Sequence, residues 1–378
     1  MNFLKLKDCC TIIVGQSPES KYYNTNGEGL PFFQGKADFG DLYPTIRVYC
    51  SQPTKIAEKD DILLSVRAPV GPTNLAPCRV CIGRGLTAIR PSENLLTKYL
   101  LLYFKYFEGQ LQAKGTGTTF KAITQDIVKN LEIEIPSLDE QRRIVSRIEE
   151  LFSQLDASVA TLRKVKEQLG VYRQAVLREA FGKIESRVPL GTISISRLGK
   201  MLDKEKNSGM PRRYLRNINV RWFCFDLSDL LEMKIEDNEE EKYSIARNDL
   251  VICEGGEPGR CAVWENDETI FYQKALHRVR FTDGSNPKFY MYYLWFAAQT
   301  GQLKALFTGT GIKHLTGQSL VKIEVPNVNR ETQDNLVSEI EARLSECDSI
   351  EQTIDMIINR SKAIRQAILK QEMGSLIC

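Results

Sequence analysis

Apolar positions in two long stretches of the chain recur every three or four residues. After PSLDEQ they fall at Ile148, Leu151, Leu155, Leu162, Val165, Leu169, Tyr172 and Val176. These are the a and d positions of an unbroken heptad count in which only Ser158 fails. Near the C-terminus the same register gives Ile340, Cys347, Ile350, Ile354, Ile357, Ile364 and Ile368, interrupted by Arg343 and Ser361. Each stripe is narrow, so it predicts a long helix that seeks a partner helix rather than a wide core. Two equivalent helices in one chain pair readily, because the chain itself fixes their effective concentration. An antiparallel coiled coil is therefore expected. The alternative is two ordinary amphipathic helices, each on its own domain. At about 1.5 Å per residue each helix runs on the order of 60 Å, a rigid spacer. Gly170 inside the first costs about 1 kcal/mol relative to Ala.

The rest of the chain alternates short apolar runs with turns. LPFF, DDILLSV, RVCIG and LTAIRP read as strands bounded by Gly, Pro and Asp, as do DLVICEGG, GRCAVW and HRVRFTDG further on. TKYLLLYFKYFEGQLQAK (97–114) and PKFYMYYLWFAAQTGQLKAL (287–306) read as buried helices. The class is α+β. Residues 1–135 and 186–328 form two irregular domains, and residues 136–185 and 329–378 form the helical regions that follow them.

This order is a repeat. TGTTFKAIT begins at Thr116 and TGTGIKHLT at Thr308, 192 residues later. The same offset relates YRQAVL (172–177) to IRQAIL (364–369), and VSRIEELFSQLD (145–156) to VSEIEARLSECD (337–348). Upstream, EKDDILLSVRAPVG (58–71) resembles ARNDLVICEGGEPG (246–259), and IGRGLTAIRPSEN (82–94) resembles YQKALHRVRFTDG (272–284). A unit of that size is far longer than a solenoid repeat of roughly 20–50 residues, so two diverged domains stand head to tail.

Composition changes this picture little. The net charge of +3 does not announce a nucleic-acid binder, although KMLDKEKNSGMPRRYLR (200–216) is locally basic. No run of about 18 apolar residues suggests a membrane span, and MNFLKLKDCC lacks a secretory h-region. The 10 cysteines do not recur between the halves, which argues against a disulfide framework and for a reducing cytoplasm. Catalytic equipment is scarce. There is no Walker A pattern. SNPKF (285–289) departs from a methyltransferase NPP motif at Lys288 and reads as a helix start. LEMK (231–234), with Asp226 or Asp229, has nuclease-like spacing that is common by chance in charged segments. CRVC (78–81) lacks the second pair that would complete four thiolates. His277 and His314 are the only histidines. The chain reads as a binder rather than an enzyme, with no metal site.

IPSLDEQRRIVSRIEELFSQLD (135–156) closely resembles the conserved region of type I restriction-modification specificity subunits. GLPFFQGKADFG (29–40), DDILLSVRAPVG (60–71) and the TGT loop resemble that family's recognition-domain landmarks, and the order of domains agrees along essentially the whole chain. The second copy departs, with PNVNRETQDNL (326–336) carrying two extra residues after the proline. The resemblance implies a non-catalytic subunit with two target recognition domains, each reading one half of a split, asymmetric site in double-stranded DNA. It implies that the paired helices set the spacer and dock two adenine-N6 methyltransferase (M) subunits, and that restriction (R) subunits of motor and nuclease type join them. S-adenosylmethionine, ATP and magnesium are then expected on those partners and none on this chain. A coiled-coil adaptor that joins protein partners without touching DNA is the alternative.

Two modules on a stiff spacer should contact half-sites about one helical turn apart, roughly 34 Å or a multiple. Sequence choice belongs where the copies differ. FFQGK (32–36) and YLRNI (214–218) occupy equivalent places, setting Gln34, which suits adenine, opposite Arg216, which suits guanine. Gln34, Lys36, Arg216 and Asn217 are the leading candidates for contact with bases or phosphates. Arg67, Arg84, Arg212, Arg213, Arg260, Lys274 and Arg278 are further candidates. In the TGT loop, Gly117, Gly309, Thr124 and Thr316 read as structural frame, and Lys121 and Lys313 as phosphate ligands.

Overall fold

The computed structural model describes residues 3–115, 122–203, 205, 207–309 and 311–374. They divide into two compact units, residues 1–162 with 355–378 and residues 163–354. Lys121 and Gly117 lie outside the described residues.

In unit 1 the strands that concern the site are β1 (Cys10–Val14), β2 (Leu30–Phe33), β3 (Ile62–Ser65), β4 (Thr73–Leu75), β5 (Val80–Ile82) and β6 (Leu86–Pro91). β1, β6, β3 and β4, in that spatial order, make an antiparallel sheet. β3 is buried along its whole length, which explains why Ile62, Leu63 and Leu64 are apolar in succession instead of alternating with polar residues. β2 and β5 pair in parallel, Phe32 opposite Cys81 and Phe33 opposite Ile82, at the heart of a second, five-stranded sheet. Helix α1 (Thr97–Ala113) buries Tyr99, Leu100 and Phe104 on the first sheet, against Ile62, Leu64 and Ile89. Ile144 and Ile148 from the long helix α2 (Leu138–Phe181) complete this core, with Leu369 and Met373.

Unit 2 repeats the plan with β7 (Ser194–Leu198), β8 (Met210–Leu215), β9 (Leu250–Cys253), β10 (Cys261–Val263), β11 (Ile270–Tyr272) and β12 (Leu276–Phe281). The antiparallel order is β7, β12, β9, β10, and β8 pairs in parallel with β11. Helix α3 (Pro287–Gln299) follows, its first turn capped by Asn286 Oδ1, which accepts from the Lys288 amide at 2.9 Å. The second long helix is α4 (Arg330–Gly374).

Two buried polar devices are duplicated with the fold. Asp61 is 2% exposed and accepts Arg90 Nε at 2.7 Å, Arg90 Nη2 at 2.8 Å and the Glu58 amide at 2.8 Å. Asp249, 1% exposed, holds Arg280 and the Ala246 amide in the same way. A buried carboxylate survives only if so fully bonded. Gln141, buried at the start of α2, donates to the Asn94 and Pro136 carbonyls and accepts from the Leu96 amide at 2.8 Å. Gln333 does the equivalent for Asn286 and Val328 in unit 2.

The long helices pair inside each unit. In unit 2 the pairing is antiparallel: Lys166 meets Glu351, Arg173 meets Asp348 and Glu351, and Glu179 meets Arg343. In unit 1 Arg365 pairs with Asp156 and lies over the Phe152 ring. Half of the expected heptad register holds. Ile148, Leu155, Leu162, Leu169 and Val176 are buried or half-buried, and so are Ile340, Cys347, Ile354 and Ile368. The second expected line does not hold: Leu151 and Val165 are half-buried, but Tyr172, Ile350, Ile357 and Ile364 are exposed. Its place is taken by Phe152, Val159, Lys166, Arg173 and Ala180, and by Leu344, Glu351, Ile358 and Arg365, all half-buried. The physical reason is that long charged side chains lay apolar stems along a seam while their heads pair at its rim. Read as letters, they look like surface.

Among the described residues, no helix is long and apolar enough to cross a membrane. Cys9, Cys10, Cys50, Cys78, Cys81, Cys224, Cys253, Cys261 and Cys347 are free thiols.

Candidate nucleic-acid interface

In unit 1, Gln34 stands at the end of β2, where its backbone amide donates to Asp38 Oδ2 at 2.9 Å. That bond closes the 3-10 turn Lys36–Asp38 and turns Lys36 outward. Because β2 runs parallel to β5, the chain leaving β5 passes beside Gln34 and delivers Arg84. Glycine is required there, since a Cβ at Gly85 would collide with the Gln34 carbonyl oxygen. The turn after β3 brings Arg67 to the same place. Ser65 Oγ donates to the Arg67 and Pro69 carbonyls at 3.1 and 2.9 Å and fixes that turn.

Gln34, Lys36, Arg67 and Arg84 therefore line one open concavity of about 550 Å³, together with Asp38 and Ser65. All four are exposed, and among the described residues the three cations have no ion-pair partner. A positive, donor-rich hollow with one neutral carboxamide suits an acceptor-rich ligand, such as phosphate oxygens beside a base edge.

Unit 2 builds the same frame and fills it differently. Arg216 follows β8 as Gln34 follows β2, and its amide donates to Asn219 Oδ1 at 2.9 Å, closing the turn Asn217–Asn219. Its guanidinium is engaged: Nη2 donates to the Asp229 carbonyl at 2.7 Å and to Asp229 Oδ2 at 2.6 Å. Arg260 Nη2 donates to the Asn217 carbonyl at 2.9 Å, and its Nη1 to Glu257 at 2.9 Å. Glu257 also accepts from Trp222 Nε1 at 2.7 Å. Asn217 Oδ1 lies 3.4 Å from Gln273 Nε2. The cluster Arg216, Asn217 and Arg260 is thus bonded into its own unit, in contrast to the open hollow of unit 1.

The remaining candidates are dispersed. Arg212 and Arg213 are exposed on β8 beside a separate cleft of about 800 Å³, where Arg212 pairs with Glu240 at 2.5 Å. Lys274 is exposed beside Met201, Leu202 and Glu254. Lys313 Nζ donates to the Gly309 carbonyl at 2.8 Å. Arg278 is 6% exposed, its Nη1 donating to the carbonyls of Glu241 and Ser244 inside the unit. So enclosed a guanidinium serves the fold and presents nothing to a ligand.

The loop motif returns next to each site. The Ile123 amide donates to the Val66 carbonyl at 3.0 Å, beside Arg67, and the Leu315 amide donates to the Glu254 carbonyl at 2.7 Å. Thr124 and Thr316 then cap the following short helices through the Ile127 and Ser319 amides. Gly309 takes a φ of +98°, where side chains are strained. Leu315 also receives His277, whose Nε2 lies 3.0 Å from the Leu315 carbonyl. Burial pushes the His277 pKa down, so a neutral ring donates this bond near pH 7. Burial raises the Cys253 thiol to about 11, which keeps it protonated and unreactive. Asp226, by contrast, is held below the usual carboxylate range by the Ser228 hydroxyl and amide. Asp38, Ser65, Asn219, Asp229 and Glu257 belong to the two sites, although their letters alone carry no signal beyond a polar loop.

Residues 1–168 match the family model of the type I restriction modification DNA specificity domain. A Methanocaldococcus jannaschii relative, named as a type I restriction enzyme MjaX specificity subunit, is 40% identical over 167 residues, 44% of this chain and 38% of that protein. The EcoKI specificity subunit of Escherichia coli K12 is 20% identical over 363 residues, 89% of this chain and 78% of that protein. Among solved structures, the HsdS subunit from Thermoanaerobacter tengcongensis is 49% identical across 41% of this chain and 38% of that one, with a TM-score of 0.39. The chain thus spans 38% of the first of these relatives, and 63% of a second M. jannaschii protein, the MjaIX specificity subunit.

Proposed function

We propose that this chain, whose residues 1–168 match the type I restriction modification DNA specificity domain, is a specificity subunit of such a system: the non-catalytic part that reads DNA sequence and directs partner enzymes to a bipartite, asymmetric site. One observation carries this reading. Two copies of a single frame present, after equivalent strands, side chains with different hydrogen-bonding codes, Gln34 in one and Arg216 in the other. A carboxamide suits adenine and a guanidinium suits guanine in the major groove. Lys36, Arg67 and Arg84 supply phosphate contacts beside Gln34, and Arg213, Lys274 and Lys313 supply them around unit 2. The helical segments dock two adenine-N6 methyltransferase subunits and, through them, restriction subunits, and they fix the unread spacer. S-adenosylmethionine, ATP and magnesium act on those partners.

The test is selection from a random duplex pool by the complex that this chain forms in its own cells. The reading predicts enrichment of two short motifs at a fixed separation, with affinity falling steeply as salt rises. A coiled-coil adaptor would enrich none.

A further inference from the structure

We propose that Asp229 holds Arg216 in check: it occupies the Arg216 guanidinium in the resting protein, so that Arg216 engages a base only where a pair of acceptors, as on guanine, displaces the carboxylate. The proposal rests on the DNA-reading role above and names how one base pair within it is discriminated.

Arg216 Nη2 carries two hydrogens, and both are used, at 2.7 Å on the Asp229 carbonyl and at 2.6 Å on its carboxylate. A guanidinium offers two double-donor edges, Nη1 with Nη2 and Nε with Nη2. Both need Nη2. A carboxylate seated on the Nε side would leave the outer edge free for a base, but Arg216 Nε is buried and unbonded. In this state Arg216 therefore has no bidentate edge to offer.

Asp229 is held in place for this contact. Asn219 Nδ2 donates to the Asp226 carbonyl at 2.9 Å and the Asp229 carbonyl at 3.0 Å. Ser228 ties the intervening turn to Asp226 Oδ1. The Asp229 side chain is 67% exposed while that of Arg216 is 19% exposed. The carboxylate can therefore swing into water when a ligand takes its place, whereas the arginine stays. An ion pair with one partner in water is a modest barrier. The O6 and N7 acceptors of guanine overcome it together, and a single acceptor on another base does not. Unit 1 has no counterpart, because Gln34 at the equivalent place is neutral.

The experiment compares the native complex with Asp229→Asn, Arg216→Ala and the double variant, by random-duplex selection and by titration of selected duplexes. The expected result is that Asp229→Asn strengthens preference at a single base pair. The preferred duplex gains about 2- to 5-fold in affinity, because guanine no longer has to displace a carboxylate, and duplexes altered there gain less. The double variant behaves as Arg216→Ala does. An unchanged preference, an equal shift at every position, or additive single effects overturn the proposal while leaving DNA reading intact. Failure of the wild-type complex to enrich any motif overturns both.

Discussion

Replacing Lys36, Arg67 and Arg84 together with alanine removes three exposed cations from one hollow, and none of them has an ion-pair partner among the described residues. Asp38 in the same hollow and Glu108 near Lys36 offset part of that charge, and the rest should appear as attraction to DNA. Each phosphate contact contributes about 0.9 to the slope of log affinity against log salt, so losing three should flatten the slope by about 2.7. Across a fourfold rise in salt, that is a difference of roughly 40-fold in how much affinity is lost. Fluorescence anisotropy of the native complex on a selected duplex, repeated from low to moderate salt, reads this directly. Gln34→Ala in the same hollow carries no charge, and it should leave the slope alone while weakening base discrimination. Arg247→Ala is the control, because Arg247 is already paired with Asp267 at 2.6 Å. Parallel salt lines for the triple variant and the wild type would refute the reasoning.

Three further outcomes follow from the same structure. Gly85→Ala should weaken binding through unit 1 and lower the melting temperature, because the new Cβ meets the Gln34 carbonyl oxygen and forces the backbone to shift; unchanged affinity in the anisotropy assay would contradict this. Gln141→Leu leaves the Leu96 amide and the Asn94 and Pro136 carbonyls short of partners in a buried place. It should cost about 2–5 kcal/mol in urea unfolding, and a loss below about 1 would count against an anchoring role. His277 has a folded pKa below its ordinary 6.5, so the unfolded chain binds its proton first as pH falls. The stability of unit 2 is then full above about pH 6.5 and declines below it; His277→Gln should remove that decline in melting temperature.

Much of this architecture is legible in the letters because duplication prints it twice. The offset of 192 residues places Gln141 over Gln333 and Arg173 over Arg365, and each pair does the same work in its own unit. Gln34 and Arg216 stand off that offset, 182 residues apart, and their equivalence is read from FFQGK lying over YLRNI after matching strands. The second line of the helix seam is not, because Lys166, Arg173, Glu351 and Arg365 contribute stems that a hydrophobic count discards. The fate of individual arginines is equally hidden. Arg216 meets an aspartate that arrives from a loop 13 residues later, and Arg278 turns inward to two carbonyls. Such pairings depend on where loops return, and no local pattern encodes that.

The central claim, that this chain selects the DNA sequence on which partners act, is tested most directly by a base-resolution methylome of its cells with and without the gene. The account predicts that N6-methyladenine disappears at one split, asymmetric motif when the gene is removed, and that Arg216→Ala changes only one half of that motif. A methylome unchanged by removal of the gene would contradict it.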